Sequence, residues 1–317
     1  MSCGSASSIL VSTKMMAQFE VAIVGGGPAG LSAALMLGRC RRTVVVFDDG
    51  RPRNAASRAA HGFLTRDGAP PALLLRKGLQ EVARYGVEVR QGHVADVKGR
   101  DDAFVLRTAE GKAVGARKLL LATGVVDRLP PVQGIEAFYG KSVFHCPYCD
   151  AWEFRDRPLA AYAPGREGAE LALALLDWSP RVVLLLDGGA PLRRPVASSL
   201  EVAGVRVRRE RVRSLRGAKG MLQAVALEEG PEEPCQALFF HLGYAQRSDL
   251  PERLGVERTG KGSVRTGRFE ETNVPGVWVV GDASRDVQWI AIAAAEGARA
   301  AFAIHRSLRG DRDLPRR

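Results

Sequence analysis

The sequence has few cysteines and no long apolar run, and each shortage excludes a class of protein. Of the five cysteines in 317 residues, only Cys146 and Cys149 form a CxxC pair. A zinc ribbon needs a second pair, and beside this one only His145 offers a further ligand, so we expect no metal site. The longest apolar runs, such as residues 182–186, have the length of a strand. A membrane span needs about 20 apolar residues, so we expect none.

The N-terminal segment also lacks the pattern of a secretory signal. Residues 1–17 are rich in serine, and their apolar core is confined to residues 9–11. The apolar region of a signal peptide is longer, with about 7–15 residues. We therefore expect a cytoplasmic protein with a disordered extension over residues 1–17, and Met15 or Met16 as an alternative start. A reducing compartment favours a reversible role for the CxxC pair over a permanent structural disulfide.

Positive charge is in excess, but the pattern of a nucleic-acid-binding protein is missing. The formal net charge is +11, and the densest basic run lies at residues 206–216. Aromatic residues do not interleave with these arginines, and no recognition module is present, so we expect no nucleic-acid partner. Alternation of valine and arginine over residues 205–208 favours the solvated face of a strand. The alternative is a docking surface for an acidic electron-donor protein.

The segment at residues 143–150 combines a cysteine pair with a carboxyl group. Two cysteines separated by two residues can close a small disulfide that opens and closes reversibly. Asp150 follows Cys149 directly, and it can supply a proton to a departing thiolate if burial raises its pKa. We therefore predict Cys146, Cys149 and Asp150 as the catalytic residues. A structural disulfide is the alternative.

A strand, a glycine-rich turn and a helix follow the N-terminal extension. The mostly apolar residues 19–24 lead into a G-x-G-x-x-G pattern at residues 25–30 and a helix over residues 31–38. The glycines permit a tight turn, and the helix N-terminus then faces a pyrophosphate. The next strand, residues 43–47, ends in Asp48, near the spacing at which a carboxylate accepts hydrogen bonds from a ribose. This order of elements predicts a dinucleotide site.

A second signal of a nucleotide site lies near the C-terminus. A strand within residues 274–283 ends in Gly281 and Asp282, and a helix is predicted over residues 288–308. The N-terminus of that helix can bind the chain of a flavin nucleotide while Asp282 accepts hydrogen bonds from ribityl hydroxyls. Together with the first turn, this signal predicts FAD. The segments between are predicted as a helix over 71–85, strands over 87–90, 94–97, 103–108 and 118–122, and a linker over 125–140.

A second strand-turn-helix unit begins at residue 158, and its glycine pattern is damaged. Ala163 replaces the first glycine, Pro164 removes a backbone donor, and Glu167 puts a carboxylate at the start of the helix. The next strand, residues 181–186, is followed by Asp187 and not by a basic cluster. We therefore predict that the second site is disabled for NADPH, which leaves the electron donor open. In the alternative, basic side chains rebuild the cofactor site: Arg166, Arg193 or Arg194.

The motifs occur in the order and at the spacing of a known family. Residues 19–308 resemble the low-molecular-weight thioredoxin reductases, and more closely the thioredoxin-reductase-like flavoproteins that include dithiol oxidases and reductases independent of pyridine nucleotide. The resemblance rests on Gly25-Gly26-Gly27-Pro28-Ala29-Gly30, Ala122-Thr123-Gly124, Cys146-Pro147-Tyr148-Cys149-Asp150 and Gly281-Asp282.

The resemblance implies a fold and its division into domains. The expected fold is α/β, with two dinucleotide-binding, Rossmann-like domains of three layers each, the second inserted into the first. Residues 18–124 and 246–317 would form the FAD-binding domain. Residues 125–245 would form the second domain, which carries the CxxC pair and the degenerate NADPH site. A homodimer is also implied.

The resemblance also assigns roles to single residues. Cys149 would be the sulfur next to the flavin, Cys146 the sulfur that attacks the substrate disulfide, and Asp150 the acid. For His61, a satisfied loop histidine is the alternative to a cofactor contact. The residues expected at FAD are Gly25, Gly27, Pro28, Ala29, Gly30, Asp48, Asn54, His61, Ala122, Thr123, Gly124, Gly281, Asp282, Trp289 and Ile290.

The start of the last helix departs from the family pattern. A typical member has an Arg-Gln pair where this chain has Trp289 and Ile290. One hypothesis is that Trp289 covers the flavin face that nicotinamide would otherwise use. The alternative is a packing tryptophan at a domain seam.

These observations predict an FAD-dependent disulfide oxidoreductase that resembles thioredoxin reductase. Electrons would pass between FAD and the Cys146/Cys149 pair and on to a protein disulfide, and the resemblance points to thioredoxin as the partner. Three alternatives use the same parts: an oxygen-dependent dithiol oxidase, a thioredoxin reductase fed by ferredoxin, and a flavin-bound redox sensor without turnover.

Overall fold

The computed structural model describes residues 18–285 and 287–310, and most of its strands form two large sheets with helices on their faces. The predicted extension over residues 1–17 lies outside the described residues. In chain order the elements are β1 (Phe19–Val24), α1 (Pro28–Arg39), β2 (Val44–Asp48), α2 (Pro71–Ala83), β3 (Glu88–Gln91), β4 (Val94–Arg100), β5 (Ala103–Thr108), β6 (Ala113–Leu121), β7 (Val125–Asp127), α3 (Ile135–Phe138), β8 (Val143–Phe144), α4 (Pro147–Asp150), β9 (Leu159–Tyr162), α5 (Gly165–Leu175), β10 (Val182–Leu185), α6 (Arg194–Val202), β11 (Arg206–Arg208), β12 (Val212–Ala218), β13 (Met221–Leu227), β14 (Glu233–Pro234), β15 (Ala237–Phe240), β16 (Tyr244–Gln246), α7 (Leu250–Arg253), β17 (Val277–Val279) and α8 (Ile290–Arg309).

The first sheet brings distant turns of the chain to one edge. Its strand order is β3-β2-β1-β6-β5-β4, and β17 pairs with the second half of β6. In the parallel part, Val24 lies opposite Phe47 and Leu121. Leu121 also lies opposite Val279. Because these parallel strands end together, the turns after β1, β2, β6 and β17 meet at the carboxyl edge of the sheet.

Apolar side chains cover both faces of this sheet. On one face α1 packs against α8 over a core that includes Leu37 and Ile304. On the other face Phe104 and residues of the segment after β16 form a second core. The helices α1 and α8 approach closely, since a Cβ at Gly297 would lie 2.0 Å from the carbonyl oxygen of Ala29. This contact places the first half of α8 beside the start of α1.

The second sheet repeats the same architecture. Its strand order is β11-β10-β9-β15-β8, and all of its neighbours are parallel. The helices α5 and α6 cover one face over a core that includes Leu175 and Leu200. The antiparallel sheet β12-β13-β14 covers the other face with Leu222 and Val225. The predicted fold class, α/β with two Rossmann-like units, is confirmed.

Two short strands carry the chain between the large sheets. The chain leaves the first sheet through β7 and returns through β16, and the two strands pair in an antiparallel manner with Val126 opposite Ala245. We call β7 and β16 the crossing strands. The predicted linker over residues 125–140 therefore contains β7 and the short helix α3. The domain boundaries at residues 125 and 245 remain a prediction.

Three of the six arginines in the basic run at residues 206–216 pair with acidic side chains. Arg206 and Arg208 both bind the buried Glu233. Arg208 also binds Glu210 at 2.9 Å, and Arg216 lies 3.4 Å from a carboxylate oxygen of Glu232. Part of this positive charge is thus balanced within the second unit.

The described residues contain neither a candidate membrane span nor a candidate metal-binding group. Within residues 18–285 and 287–310, none of the helices combines the length and the apolar character that crossing a membrane requires. Over the same residues, no three side chains of His, Cys, Asp or Glu are grouped in a way that could hold a metal ion.

Candidate functional site

One cavity lies at the carboxyl edge of the first sheet and extends to the cysteine pair. Its wall consists of the turns after β1, β2, β6 and β17, the start of α8 and the segment around the CxxC pair. All the predicted site residues line this cavity except Gly30 and Cys146. Gly30 lies behind the turn, because a Cβ there would be 1.9 Å from the carbonyl oxygen of Gly25. The fold thus joins the glycine-rich turn of the first unit to the cysteine pair of the second.

The glycine-rich turn presents an uncapped helix end to the cavity. Gly25 adopts a φ of +109°, and a Cβ there would lie 2.2 Å from the carbonyl oxygen of Ala122. No side chain caps α1 at Gly27, and its first turn contains no acid. A Cβ at Gly27 would meet nothing within 4 Å. The first amide groups of α1 therefore face open space, a geometry that fits a pyrophosphate.

Two polar side chains in the wall also fit a nucleotide. Asp48 ends β2 directly behind Gly26, where a Cβ would lie 2.6 Å from Oδ2 of Asp48. The hydroxyl oxygen of Thr123 is buried and has no hydrogen-bond partner among the residues that the structure describes. A buried hydroxyl without a partner costs free energy, so a bound group that pairs with it stabilises the site. Together with the uncapped helix, these residues fit FAD.

The cysteine pair is closed as a disulfide at the start of a short helical turn. Cys146 is the N-cap of α4, Pro147 follows at the first position, and the Cα atoms of Cys146 and Cys149 lie 5.3 Å apart. Proline at this position costs no helical hydrogen bond, because the first amides of a helix have no partner within the helix. Cys149 lines the cavity, whereas the partly exposed Cys146 does not. The pair thus presents one sulfur to the cavity.

Asp150 lies next to Cys149 in the cavity wall. Burial, with a smaller contribution from the charge of Glu153, raises the pKa of Asp150 to about 7. A carboxyl group with such a pKa is protonated in about half of the molecules at neutral pH and can donate a proton to a thiolate. Glu153 lies 3.6 Å from Nδ1 of His61. The loop that follows β2 therefore reaches the cysteine segment.

Three aromatic rings stand beside the cysteine pair. Tyr148, between the cysteines, is 70% exposed and contacts Trp178 edge to face at a centroid distance of 5.6 Å. Trp289 is 43% exposed, and its ring centroid lies 6.1 Å from that of Tyr148. Trp289 therefore lies at the cavity and not in a core, a position consistent with a cover over part of the cavity. Its contact with the flavin stays a prediction.

Sequence reasoning missed a set of charged residues in and behind the cavity wall. Arg53 donates hydrogen bonds to Asp127 and Asp282. Behind the wall, Glu296 of α8 is 3% exposed and accepts a hydrogen bond of 2.7 Å from the N–H of Gly281. Glu296 is an acid within an alanine-rich apolar stretch of the last helix, and this interruption is the signal that could have identified it. Arg53 has no such signal, because its partners are distant in sequence.

The second unit keeps the close contact between its turn and its helix but differs in the side chains at the start of α5 and after β10. A Cβ at Gly168 would lie 2.3 Å from the carbonyl oxygen of Ala163, which repeats the contact between Gly30 and Gly25. Arg166 pairs with Glu170 on the helix surface at 2.7 Å. Asp187 accepts hydrogen bonds from the hydroxyl of Tyr162 and the N–H of Val212.

Comparison with known proteins identifies the family. The profile described as "Pyridine nucleotide-disulphide oxidoreductase" matches residues 19–297. The chain belongs to this family. A probable thioredoxin reductase of Arthroderma benhamiae is 30% identical over 329 residues, which cover 93% of this chain and 81% of that protein. The thioredoxin reductase tcpT of Claviceps purpurea is 33% identical over 275 residues, covering 83% and 86%.

Solved structures agree with this membership. The putative thioredoxin reductase TrxB of Bacillus anthracis superposes with a TM-score of 0.88 at 30% identity, covering 93% of this chain and all of that chain. HlmI superposes with a TM-score of 0.87 at 38% identity, covering 92% of each chain. The family is one of FAD-binding oxidoreductases, and the disulfide between Cys146 and Cys149 fits its redox-active CxxC pair.

Replacing Asp150 by asparagine removes the proton donor and keeps its shape. Because the pKa of Asp150 is about 7, disulfide reduction by the wild-type protein is expected to slow as the pH rises above 7 and the carboxyl group ionises. Asp150→Asn should lower kcat by roughly 100-fold or more and remove this dependence. Steady-state rates across neutral pH with a disulfide substrate test it. Asp249→Asn, an exposed carboxylate outside the cavity wall, is the control, and an unaltered pH profile in Asp150→Asn would contradict the role.

Removing the carboxylate of Glu296 leaves the N–H of Gly281 and the guanidinium of Arg285 without this acceptor. Since these groups hold the turn that carries Asp282, Glu296→Ala should raise the dissociation constant for FAD by about tenfold. Glu296→Gln keeps an oxygen acceptor and should restore part of the affinity. Fluorescence of released flavin on dilution measures the change. Retention of FAD by Glu296→Ala at the wild-type level would show that this anchor is dispensable.

Proposed function

We propose that this protein is an FAD-dependent disulfide oxidoreductase that exchanges electrons between FAD and the Cys146/Cys149 pair and then with a protein disulfide, that of a thioredoxin. One observation carries the proposal: Cys149 lies in the wall of the same cavity as the glycine-rich turn, Asp48 and Thr123. The names of the relatives, which are thioredoxin reductases, support thioredoxin as the partner.

In the proposed reaction, Cys146, Cys149 and Asp150 act in a definite order. Bound FAD supplies the capacity to carry two electrons. The Cys146–Cys149 disulfide takes up two electrons and two protons and opens to a dithiol. The thiolate of Cys146 then attacks the substrate disulfide, and Asp150 protonates the sulfur that leaves. Cys149 attacks the resulting mixed disulfide, which releases the substrate as a dithiol and restores the intramolecular disulfide.

We propose further that NADPH does not reduce this protein through the second unit. Ala163 and Pro164 replace flexible glycines at the second turn, and Glu167 lies in the first turn of α5, where a negative charge disfavours phosphate. Asp187 is already engaged by Tyr162 and Val212. Trp289, which lines the cavity, is proposed to cover the face of the flavin that nicotinamide would approach.

A dithiol oxidase is the second candidate, favoured by these same changes. If nicotinamide cannot deliver electrons, they can enter at the cysteine pair from a substrate dithiol and leave from the cofactor to oxygen. The balanced reaction converts a dithiol and O2 to a disulfide and hydrogen peroxide. The partly exposed Cys146, beside the exposed ring of Tyr148 and the half-buried ring of Trp178, offers such a substrate a direct route.

The proposal also covers the cellular compartment, the oligomeric state and the electron donor. A redox-active disulfide that must be reopened suits the cytoplasm, where thiols are kept reduced. We expect the homodimer that the family resemblance implies. An acidic electron-donor protein, such as a ferredoxin, is the alternative source of electrons, and the exposed Arg209, Arg211 and Arg213 beside the paired arginines support a docking surface for it.

Rapid mixing of the oxidised, FAD-loaded protein with nicotinamide nucleotides distinguishes the donors. We expect neither NADPH nor NADH to bleach the flavin on the scale of seconds, because the second turn lacks its phosphate-binding features. Dithiothreitol without oxygen should bleach it. With oxygen present, sustained peroxide formation from dithiothreitol would favour the oxidase, and its absence would favour the reductase. Rapid bleaching by NADPH would refute the disabled second site.

Serine variants of the cysteines test the electron path. Cys149→Ser should slow bleaching by dithiothreitol by about 100-fold or more, since the sulfur that lines the cavity is lost. Cys146→Ser should abolish turnover of a disulfide substrate. Cys40→Ser, which removes an exposed free cysteine, should behave as wild type. Equal bleaching rates in wild type and Cys149→Ser would show that electrons bypass the pair.

A further inference from the structure

Arg53 in the cavity wall joins groups from three distant parts of the chain. Its side chain is 14% exposed. Its Nε donates to Oδ2 of Asp127 at 3.0 Å, and its Nη2 binds the other oxygen of that carboxylate. Its Nη1 donates to Asp282 at 2.9 Å and to Gln288 at 2.6 Å. One guanidinium therefore ties the turn after β2 to β7, to the turn after β17 and to the segment before α8.

Asp127 connects Arg53 to residues of the second unit. It is the last residue of the crossing strand β7, and its side chain is 4% exposed. Besides Arg53, it accepts a hydrogen bond of 2.6 Å from the hydroxyl of Tyr139. Nδ1 of His145, the residue before Cys146, lies 3.7 Å from the same carboxylate oxygen. Asp127 is thus the junction between the cavity wall and the segment that leads into the cysteine pair.

The charges of this cluster favour a fixed arrangement. Burial opposes the ionisation of Asp127, but the hydrogen bonds from Arg53 and Tyr139 and the neighbouring positive charge together outweigh it and keep the pKa of Asp127 below its ordinary value. Burial and the charge of Arg53 lower the pKa of His145, so the imidazole is neutral at neutral pH. Arg53 is therefore the cation that Asp127 binds directly. Separation of the two would leave the buried carboxylate of Asp127 without its cation, which is strongly unfavourable.

We propose that the ion pair between Arg53 and Asp127 positions the cysteine segment at the cofactor cavity. Arg53 is held in the wall by Asp282 and Gln288, and Asp127 transmits its position to Tyr139 and His145. Both members of the pair are positioning residues, since neither contacts a sulfur of the cysteine pair. This inference rests on the proposed function and adds the means by which Cys149 is kept at the cavity. Loss of the pair should let the second unit turn about the crossing strands and withdraw Cys149.

Asp127→Asn tests the proposal, because Asp127 is absent from the cavity lining and asparagine keeps its shape. In the FAD-loaded protein without oxygen, we expect bleaching of the flavin by dithiothreitol to slow by roughly tenfold or more while FAD stays bound. Alkylation of the reduced Cys149 by iodoacetamide, followed by mass spectrometry, should become several-fold faster. Asp127→Glu restores the charge and should recover much of the rate. Tyr139→Phe, which removes one hydroxyl, should also slow bleaching and is the variant to use if Asp127→Asn fails to fold.

A second ion pair serves as the control that distinguishes an effect on the position of Cys149 from an effect on stability. Arg42 and Glu20 form a partly buried pair at 2.7 Å within the first unit, outside the cavity wall. Glu20→Gln should lower the melting temperature and leave the bleaching rate unchanged. The inference is overturned if folded Asp127→Asn or Tyr139→Phe bleaches at the wild-type rate, or if Glu20→Gln slows bleaching equally. If wild type itself bleaches no faster than Cys149→Ser, the proposed function fails as well.

Discussion

The contact between the turn after β1 and the end of β6 is the constraint on which the cavity depends. Gly25 lies so close to the carbonyl of Ala122 that no side chain could be accommodated, and its φ of +109° is one that other residues rarely adopt. Because β1, β2, β6 and β17 run in parallel, this contact also fixes the position of Asp48 and of Gly281. Backbone groups therefore form the nucleotide end of the cavity, and side chains add the polar contacts around it.

Carboxyl groups in and behind the cavity wall fall into two classes with different chemistry. Asp127 is buried but binds a guanidinium directly, so its carboxylate stays ionised and acts as a fixed charge. Asp150 is also buried, but the charged neighbour that influences it is another acid, Glu153, and its pKa rises to about 7. Burial penalises the charged form in both cases, and the sign of the neighbouring charge decides the outcome. The result is a carboxyl group that can exchange a proton beside Cys149 and a carboxylate that holds structure nearby.

The two Rossmann-like units show which parts of a nucleotide turn belong to packing and which to the ligand. In both units a glycine at the third position lets the helix approach the end of the first strand, as Gly30 and Gly168 demonstrate. That contact is needed for the helix to cover the sheet, whether or not a nucleotide binds. The first helical turn of α1 begins with Pro28 and contains no acid, whereas α5 follows Pro164 and carries Glu167 in its first turn. The duplicated fold therefore does not require a duplicated function.

The sequence by itself determined the glycine-rich turn, the redox-type cysteine pair with Asp150, and the α/β class, because each is encoded by residues close together in the chain. Only the tertiary structure decided that Arg53 binds Asp127 and Gln288, which lie 74 and 235 residues away in sequence. The same holds for Glu296 beneath Gly281 and for the rings of Trp178 and Trp289 beside Tyr148. Local patterns carry turn geometry and periodicity, whereas a buried ion pair exists only once the sheets have brought its two members together and removed the water between them.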